Sequence, residues 1–356
     1  MIKKIKILKI RRPDDWHVHL RDNNILNTVL PYTSKYFGRA IIMPNLEIPI
    51  TTIKQAIKYR KKILSIIPSN HNFKPLMTCY LTNNTKKETI INGYNSGVFT
   101  AAKLYPYNST TNSKYGINNI NNIYPILEIM QNIKMPLLIH AEINNNKIDI
   151  FDREAVFIKK IMKLIRNNFP FLKIIIEHIT TKEAVNYIIN GDKYLAATIT
   201  PQHLIFNRND IFINSLKSHL YCLPIYKSIK HQNALRKAIC SNCNRFFLGT
   251  DTAPHIRSNK ESSSVKAGVF SAPTALSIYA SVFEEMNALK NFESFCSLNG
   301  PAFYNLPINK DYIELHKISY LQKDKIKVIN ENNEIIPLLY KKKIKWTVIP
   351  NNLKSN

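Results

Sequence analysis

Residues 136–142 read PLLIHAE and residues 173–180 read KIIIEHIT. Each is an apolar run of strand length, without polar alternation, that ends at a histidine. A strand with one wet face alternates apolar and polar residues, whereas a near-continuous run suits a parallel strand covered on both faces. Outward from these two, the pattern recurs in WHVHL (16–20), RAIIMPN (39–45), PLMTCYL (75–81), FTAAKLYP (99–106), YLAATITP (194–201) and RFFLGTD (245–251). Helical periodicity fills several of the intervals. Residues 51–67 place Ile53, Ile57, Leu64 and Ile67 on one stripe among lysines and Arg60. Residues 152–166 do the same with Phe157, Ile158, Ile161 and Ile165, with Asp152 as N-cap. Residues 181–190 begin with Thr180-Thr181 and carry Glu183 early, a start like a capping box, and 273–289 form a further long helix. Eight strands alternating with helices predict an α/β fold, a (β/α)8 TIM barrel. Its core spans about residues 12–300 in a single domain, 1–356. A small strand-rich C-terminal extension, about 305–356 (YIELHKI, KIKVIN, KKKIKWTVIP), is expected to pack outside.

The composition agrees with a globular chain. Of 356 residues, 45% are hydrophobic and 21% charged, which excludes a disordered chain, a collagen-like fibre and a small disulfide scaffold. Fifty Lys+Arg against 24 Asp+Glu leave a net charge of +26. Such a field attracts nucleic acid, anionic lipid or a small anionic substrate. No block of five or six like charges stands out, and general over-use of Lys, Asn and Ile accounts for the excess equally well, so the charge names no partner. Five scattered cysteines, an odd number, point to a reducing compartment. Cys240 and Cys243 form a C-x-x-C, half a zinc site or a redox pair, but no second ligand pair follows and a structural role is favoured. Lysines break up the apolar residues of the N-terminus, so no secretory signal is read, and no run approaches a membrane span. A cytoplasmic protein is expected, in which the sequon Asn108-Ser109-Thr110 carries no weight.

A barrel presents its chemistry at the C-terminal ends of its strands. Here those ends carry His17-Val18-His19, Lys103, His140, His178 and Asp251. Two histidines two residues apart on a strand point to the same side and can grip one cation. Six potential ligands at the same end of five strands imply a metal centre. Lys103 defines its type. A bare ammonium is costly to bury and cannot ligate a cation. It either forms a structural salt bridge to Asp251 or Glu142, or, with a depressed pKa, reacts with CO2 to give a carbamate. The carbamate turns +1 into −1 and offers two oxygens that can bridge two metals.

The H-x-H strand, the lysine, two single histidines and a final aspartate resemble the amidohydrolase superfamily. RRPDDWHVHLRD, AIIMPNL, LMTCYLT, FTAAKLYP, TTNS, FDREA, EHITT, ATITPQHL, LYCLPI, FLGTDTAPH and APTAL resemble, more narrowly, the bacterial dihydroorotases of the shorter, single-function type. The likeness runs from about residue 8 to residue 305. It implies reversible closure of N-carbamoyl-L-aspartate to L-dihydroorotate plus water, the third step of pyrimidine synthesis. It also implies two Zn2+ per subunit: His17, His19 and Asp251 on the more buried ion, His140 and His178 on the outer one. Carbamylated Lys103 (N6-carboxylysine) and a hydroxide would bridge them, with Asp251 as general base and then acid. Arg21, Asn45 and His255 would bind the substrate α-carboxylate, and the backbone at Leu223 and Ala267 the ureide edge. His19 and His140 would also touch substrate, and Thr110 and Thr111 would lie on a loop that closes over it. Read without the likeness, Arg21 is a surface salt bridge, Asn45 a turn residue after Pro44, and the threonines ordinary loop residues. Ala141 and Thr252 stand where glycine and serine are common in the family, and Ser262–Lys266 departs from its pattern. The resemblance also implies a homodimer and no nucleic-acid or membrane partner. Two rivals remain: another cyclic amidohydrolase, on a hydantoin or allantoin, which has no need of Arg21, Asn45 and His255 together; and a non-catalytic basic nucleic-acid-binding protein.

Overall fold

The computed structural model describes residues 5–241 and 243–350; residues 1–4, Asn242 inside the C-x-x-C, and 351–356 of the C-terminal extension lie outside the described residues. The chain enters through β1 (Ile7–Arg11). Each of the eight apolar runs then forms a strand: β2 (Asp15–Val18), β3 (Arg39–Ile42), β4 (Lys74–Tyr80), β5 (Ala101–Leu104), β6 (Leu137–Ile139), β7 (Ile174–Ile176), β8 (Leu195–Ile199) and β9 (Phe246–Leu248). They pair in sequence order and all in parallel, as right-handed strand–helix–strand units require. The ring closes just beyond β9. Asp251 N–H donates to the His17 carbonyl (2.9 Å), and His19 N–H to the Thr252 carbonyl (2.9 Å). Lower on that seam the buried Asp15 carboxylate replaces ladder bonds, accepting from Thr250 N–H (2.8 Å) and Thr250 Oγ1 (2.6 Å).

Alternation along these uniformly apolar runs separates two cores. Ala40, Ile42, Met77, Cys79, Leu137, Ile139, Ile174, Ile176, Phe246 and Leu248 belong to the large core shared with the surrounding helices. Trp16, Ile41, Leu76, Ala101, Leu138, Ile175, Ala196 and Phe247, one from each barrel strand, form a separate cluster inside the barrel with Phe303 and Tyr304. Along β4 to β9 a side chain two or four residues further on therefore rises into the next interior layer.

The outer helices depart from the sequence reading in detail. The helix Ile53–Ser65 buries Ala56, Tyr59 and Ile63, while Ile57 and Leu64 of the expected stripe are exposed. The Tyr59 hydroxyl donates to the Arg21 carbonyl, which turns that face inward. Its start is a capping box between Thr52 and Gln55. Thr181 caps Lys182–Ile189 through Ala184 N–H, so Glu183 lies outside a capping box. Glu154 instead accepts from the backbone and hydroxyls of Thr180 and Thr181. The stripe Phe157, Ile158 and Ile165 is buried, with Ile161 packed against it, although a wide π-turn at Ile158–Met162 interrupts the helix. Asp152 precedes that helix without a side-chain cap bond.

After the helix Asn299–Tyr304 come β10 (Tyr312–His316), β11 (Tyr320–Gln322), β12 (Ile326–Lys327), β13 (Glu334–Ile335), β14 (Lys342–Ile344) and β15 (Thr347–Pro350). β10 lies between β1 and β15 in an antiparallel sheet outside the barrel. The strand β1 was absent from the sequence reading; its partner is some 300 residues away, and lysines break its apolar pattern. Ile326, Val328 and Ile335 pack on Val29, Phe270 and Ala272. Cys240 and Cys243 are free and lie against the main core.

Candidate metal centre and substrate pocket

One layer above the aromatic and aliphatic ring, the same strands present Thr78, Lys103, His140, Glu177, Thr198 and, higher still, Asp251. His17 and His19 stand at the end of β2, where the pairing with β3 shifts register between Asp15 and Val18. His17 Nε2, His19 Nε2 and Asp251 Oδ1 form a triangle with sides of 3.3, 3.4 and 3.2 Å. Ligands about 2.0–2.1 Å from a tetrahedral ion are about 3.3 Å apart, so the three atoms already have the spacing of one face of such a site. They are also a group of ligand atoms able to hold a metal ion. Beside them, His140 Nδ1 lies 3.2 Å from His178 Nε2, and the His17 and His178 rings are 4.9 Å apart. Burial and the nearby Lys103 hold His17, His19 and His178 below the ordinary imidazole range. They are therefore neutral at pH 7, the form that ligates cations.

The outer nitrogens of two of these rings are tied to carboxylates. His17 Nδ1 is 2.7 Å from Glu177 Oε2, which also accepts from Thr198 Oγ1 (2.6 Å), and that oxygen accepts from His178 N–H (2.7 Å). His140 Nε2 is 2.9 Å from Glu142 Oε2, whose other oxygen faces Lys227 at 3.9 Å. Each carboxylate fixes which ring nitrogen faces the cluster. Arg21, His178 and Asp251 have positive φ (60°, 40° and 45°), a backbone state costing about 1–3 kcal/mol at a non-glycine residue and concentrated at functional sites.

Lys103 is fully buried, and its Nζ has no hydrogen-bond partner among the described residues. The salt bridge to Asp251 or Glu142 is thus not formed; Glu142 is engaged by His140 and Lys227. Burial lowers the Lys103 pKa to about 8, against the pull of Glu177 and Asp251. A nucleophilic, unpartnered amine among five potential ligands fits a carbamate that completes a two-metal site.

Above the cluster, Arg21 Nη2 is 3.0 Å from His255 Nε2, which is 3.0 Å from the Ala267 carbonyl, while Arg21 Nε donates to the Pro254 carbonyl (3.0 Å). Burial and the Arg21 guanidinium push His255 down, so it is a neutral donor or acceptor rather than a second cation. Asn45 Nδ2 donates to the Thr111 carbonyl (3.0 Å), and Thr111 Oγ1 to the Ala267 carbonyl (3.3 Å). Thr110 is held from within its loop by Ser113. Leu223 follows Tyr221, whose carbonyl accepts from Gly268 N–H (3.0 Å). The structure thus gathers Arg21, Asn45, Thr111, His255 and Ala267 on one rim, with Leu223 on an adjoining segment.

Residues 14–324 match the model of the amidohydrolase family. A dihydroorotase of Yersinia enterocolitica is 58% identical over 341 residues, 96% of this chain and 97% of its own. Among solved structures, dihydroorotase of Saccharomyces cerevisiae, in complex with 5-fluoroorotic acid, superposes with a TM-score of 0.89 at 31% identity, covering 97% of this chain and 99% of that one. Dihydroorotase of Campylobacter jejuni gives 0.88 at 31%, covering 98% and 99%. The chain belongs to the dihydroorotase family.

Several roles at this dihydroorotase-family site were missed in the sequence. Glu142, read there only as a possible salt-bridge partner of Lys103, holds His140 Nε2 from two residues beyond it. Glu177 directly precedes His178, where strand alternation sends it to the opposite side; the positive φ of His178 brings both into one layer. Asn112 and Tyr80 reinforce the loop: Asn112 Nδ2 donates to the Asn45 carbonyl (3.0 Å), and Tyr80 OH to the Asn112 carbonyl (3.3 Å). Among the described residues, no helix is long and apolar enough to cross a membrane.

Proposed function

We propose that this chain is a dihydroorotase, interconverting N-carbamoyl-L-aspartate and L-dihydroorotate plus water as the third step of pyrimidine synthesis, in the cytoplasm and as a homodimer of single-domain subunits. The observation that carries the reading is one rim on which Arg21, Asn45 and His255 converge beside a buried cluster of histidines, an aspartate and a lysine without a hydrogen-bond partner among the described residues. A cyclic ureide without a carboxylate has no use for that rim.

His17, His19 and Asp251 would hold one Zn2+ and His140 and His178 a second, with Lys103 bridging both as the carbamate formed with CO2. When bound, two such ions provide Lewis acidity and bring the pKa of water towards about 7. Asp251, at the edge of the ligand triangle, takes the proton of the attacking water and delivers it to the leaving ring nitrogen; in closure it runs in reverse. Arg21 grips the substrate α-carboxylate through its planar fork, helped by Asn45 and neutral His255. The Leu223 and Ala267 backbones meet the ureide edge, and Thr110 and Thr111 cover the ring and exclude water.

Closure converts a dianion to a monoanion and consumes one proton. The ratio of dihydroorotate to N-carbamoyl-aspartate at equilibrium therefore falls about tenfold per pH unit above the carboxylate range. The direct test offers purified, zinc-loaded protein L-dihydroorotate, hydantoin and allantoin separately. Ring opening of dihydroorotate alone supports the reading; turnover of hydantoin or allantoin without dihydroorotate contradicts it.

A further inference from the structure

Lys260 ends the short helix Arg257–Lys260 and is 3% exposed. Among the described residues its ammonium meets no carboxylate. Nζ donates instead to three backbone carbonyls: Tyr221 (2.8 Å), Lys266 (2.8 Å) and Gly268 (2.9 Å). Three N–H donors meet three acceptors, so hydrogen bonding is complete while the charge stays uncompensated. A buried cation without a counter-ion is a standing cost to folding, and burial lowers its pKa to about 8. A methionine of similar length would remove the charge but leave the three carbonyls without this donor, so the role of the lysine lies in the segments those carbonyls belong to.

Its position supplies one. Tyr221 lies two residues before Leu223, while Lys266 and Gly268 flank Ala267. The three carbonyls therefore belong to the two segments assigned above to the ureide edge. Gly268 N–H already joins them through the Tyr221 carbonyl (3.0 Å), and Gly268 cannot carry a side chain: its φ is 148°, and a Cβ there would lie 2.3 Å from the Ala253 carbonyl oxygen. Between two of these acceptors, the Ala267 carbonyl is 3.0 Å from His255 Nε2, which is 3.0 Å from Arg21 Nη2, so the ammonium and the guanidinium border the same segment of the rim.

We infer that Lys260 is a positioning residue for the reaction: its ammonium fastens the Leu223 and Ala267 segments into one edge, and its charge, with that of Arg21, favours the dianionic open substrate over the monoanionic ring. This inference rests on the proposed reaction. Opening and closure are measured on the zinc-loaded parent, Lys260→Met and Lys260→Arg, with metal content determined for each. Loss of charge-assisted hydrogen bonds predicts that Lys260→Met raises KM about fivefold for L-dihydroorotate and about thirtyfold for N-carbamoyl-L-aspartate, with kcat within about threefold and metal content unchanged. Lys260→Arg keeps the charge but not the three-carbonyl fit, and raises both KM values by a similar factor of about three. Parental KM values in Lys260→Met, or an equal rise for both substrates, overturn the inference. Should Lys260→Met not fold, Lys260→Arg decides: raised KM at parental kcat supports the inference, and parental KM overturns it. A parent inactive on both substrates would instead refute the proposed reaction.

Discussion

At the N-terminal end of its strands the barrel interior is filled by a ring of one side chain per strand, whereas one layer higher the same strands carry histidine, lysine and glutamate. The lower end is closed by the helix Asn299–Tyr304. Tyr304 stacks on Trp16 with ring centroids 4.4 Å apart, and Phe247 meets the Trp16 edge at 6.1 Å. Gly300 permits this closure, because a Cβ there would fall 1.9 Å from Trp16 Nε1. In that plug Trp16 Nε1 and Tyr304 OH have no hydrogen-bond partner among the described residues. The upper layer is organised by polar contacts: Glu177 and Glu142 each orient a histidine, and Lys103 Nζ has no hydrogen-bond partner among the described residues. Packing in the lower layer keeps the walls rigid, and that rigidity lets neutral imidazoles and a carboxylate stay within 3.4 Å of one another.

The contrast can be broken by substituting one layer at a time. Asp251→Asn in the upper layer is expected to lower kcat by about 10²–10⁴ at saturating zinc, with an unchanged thermal midpoint. Trp16→Ala in the lower layer is expected to cost about 3–5 kcal/mol in denaturant unfolding while metal content stays parental. If Trp16→Ala stripped the metal at unchanged stability, the division between layers would be wrong. Glu177→Gln sharpens the upper layer: with His17 no longer held by a carboxylate, metal affinity or activity should fall about 10–100-fold, read by competition with a chelator. The smallest effect belongs to the loop. Asn112→Ala removes the bond to the Asn45 carbonyl and should raise KM about three- to tenfold. Faster proteolytic nicking between residues 107 and 115 would confirm that the loop has loosened.

The barrel strands were legible because burial on both faces leaves an uninterrupted apolar signature. The potential ligands were legible because each ends such a run. The outer helices were less so: in Ile53–Ser65 the buried face is set by the Tyr59 contact with Arg21, and no periodicity reveals that Ile57 and Leu64 face water. β1 pairs with β10 from the far end of the chain, and a half-exposed strand broken by lysines carries little local signal. Glu177 and Lys260 were invisible for a different reason. Their partners, His17 and the carbonyls of residues 221–268, are distant or main-chain groups, which residue types alone do not disclose.

The measurement that bears most directly on the account is ring opening of L-dihydroorotate by the parent and by Lys103→Ala, side by side with zinc and bicarbonate, with metal counted in both. The account predicts an active parent with two ions per chain, and a folded variant that has lost metal and nearly all activity. A Lys103→Ala protein as active as the parent would contradict it.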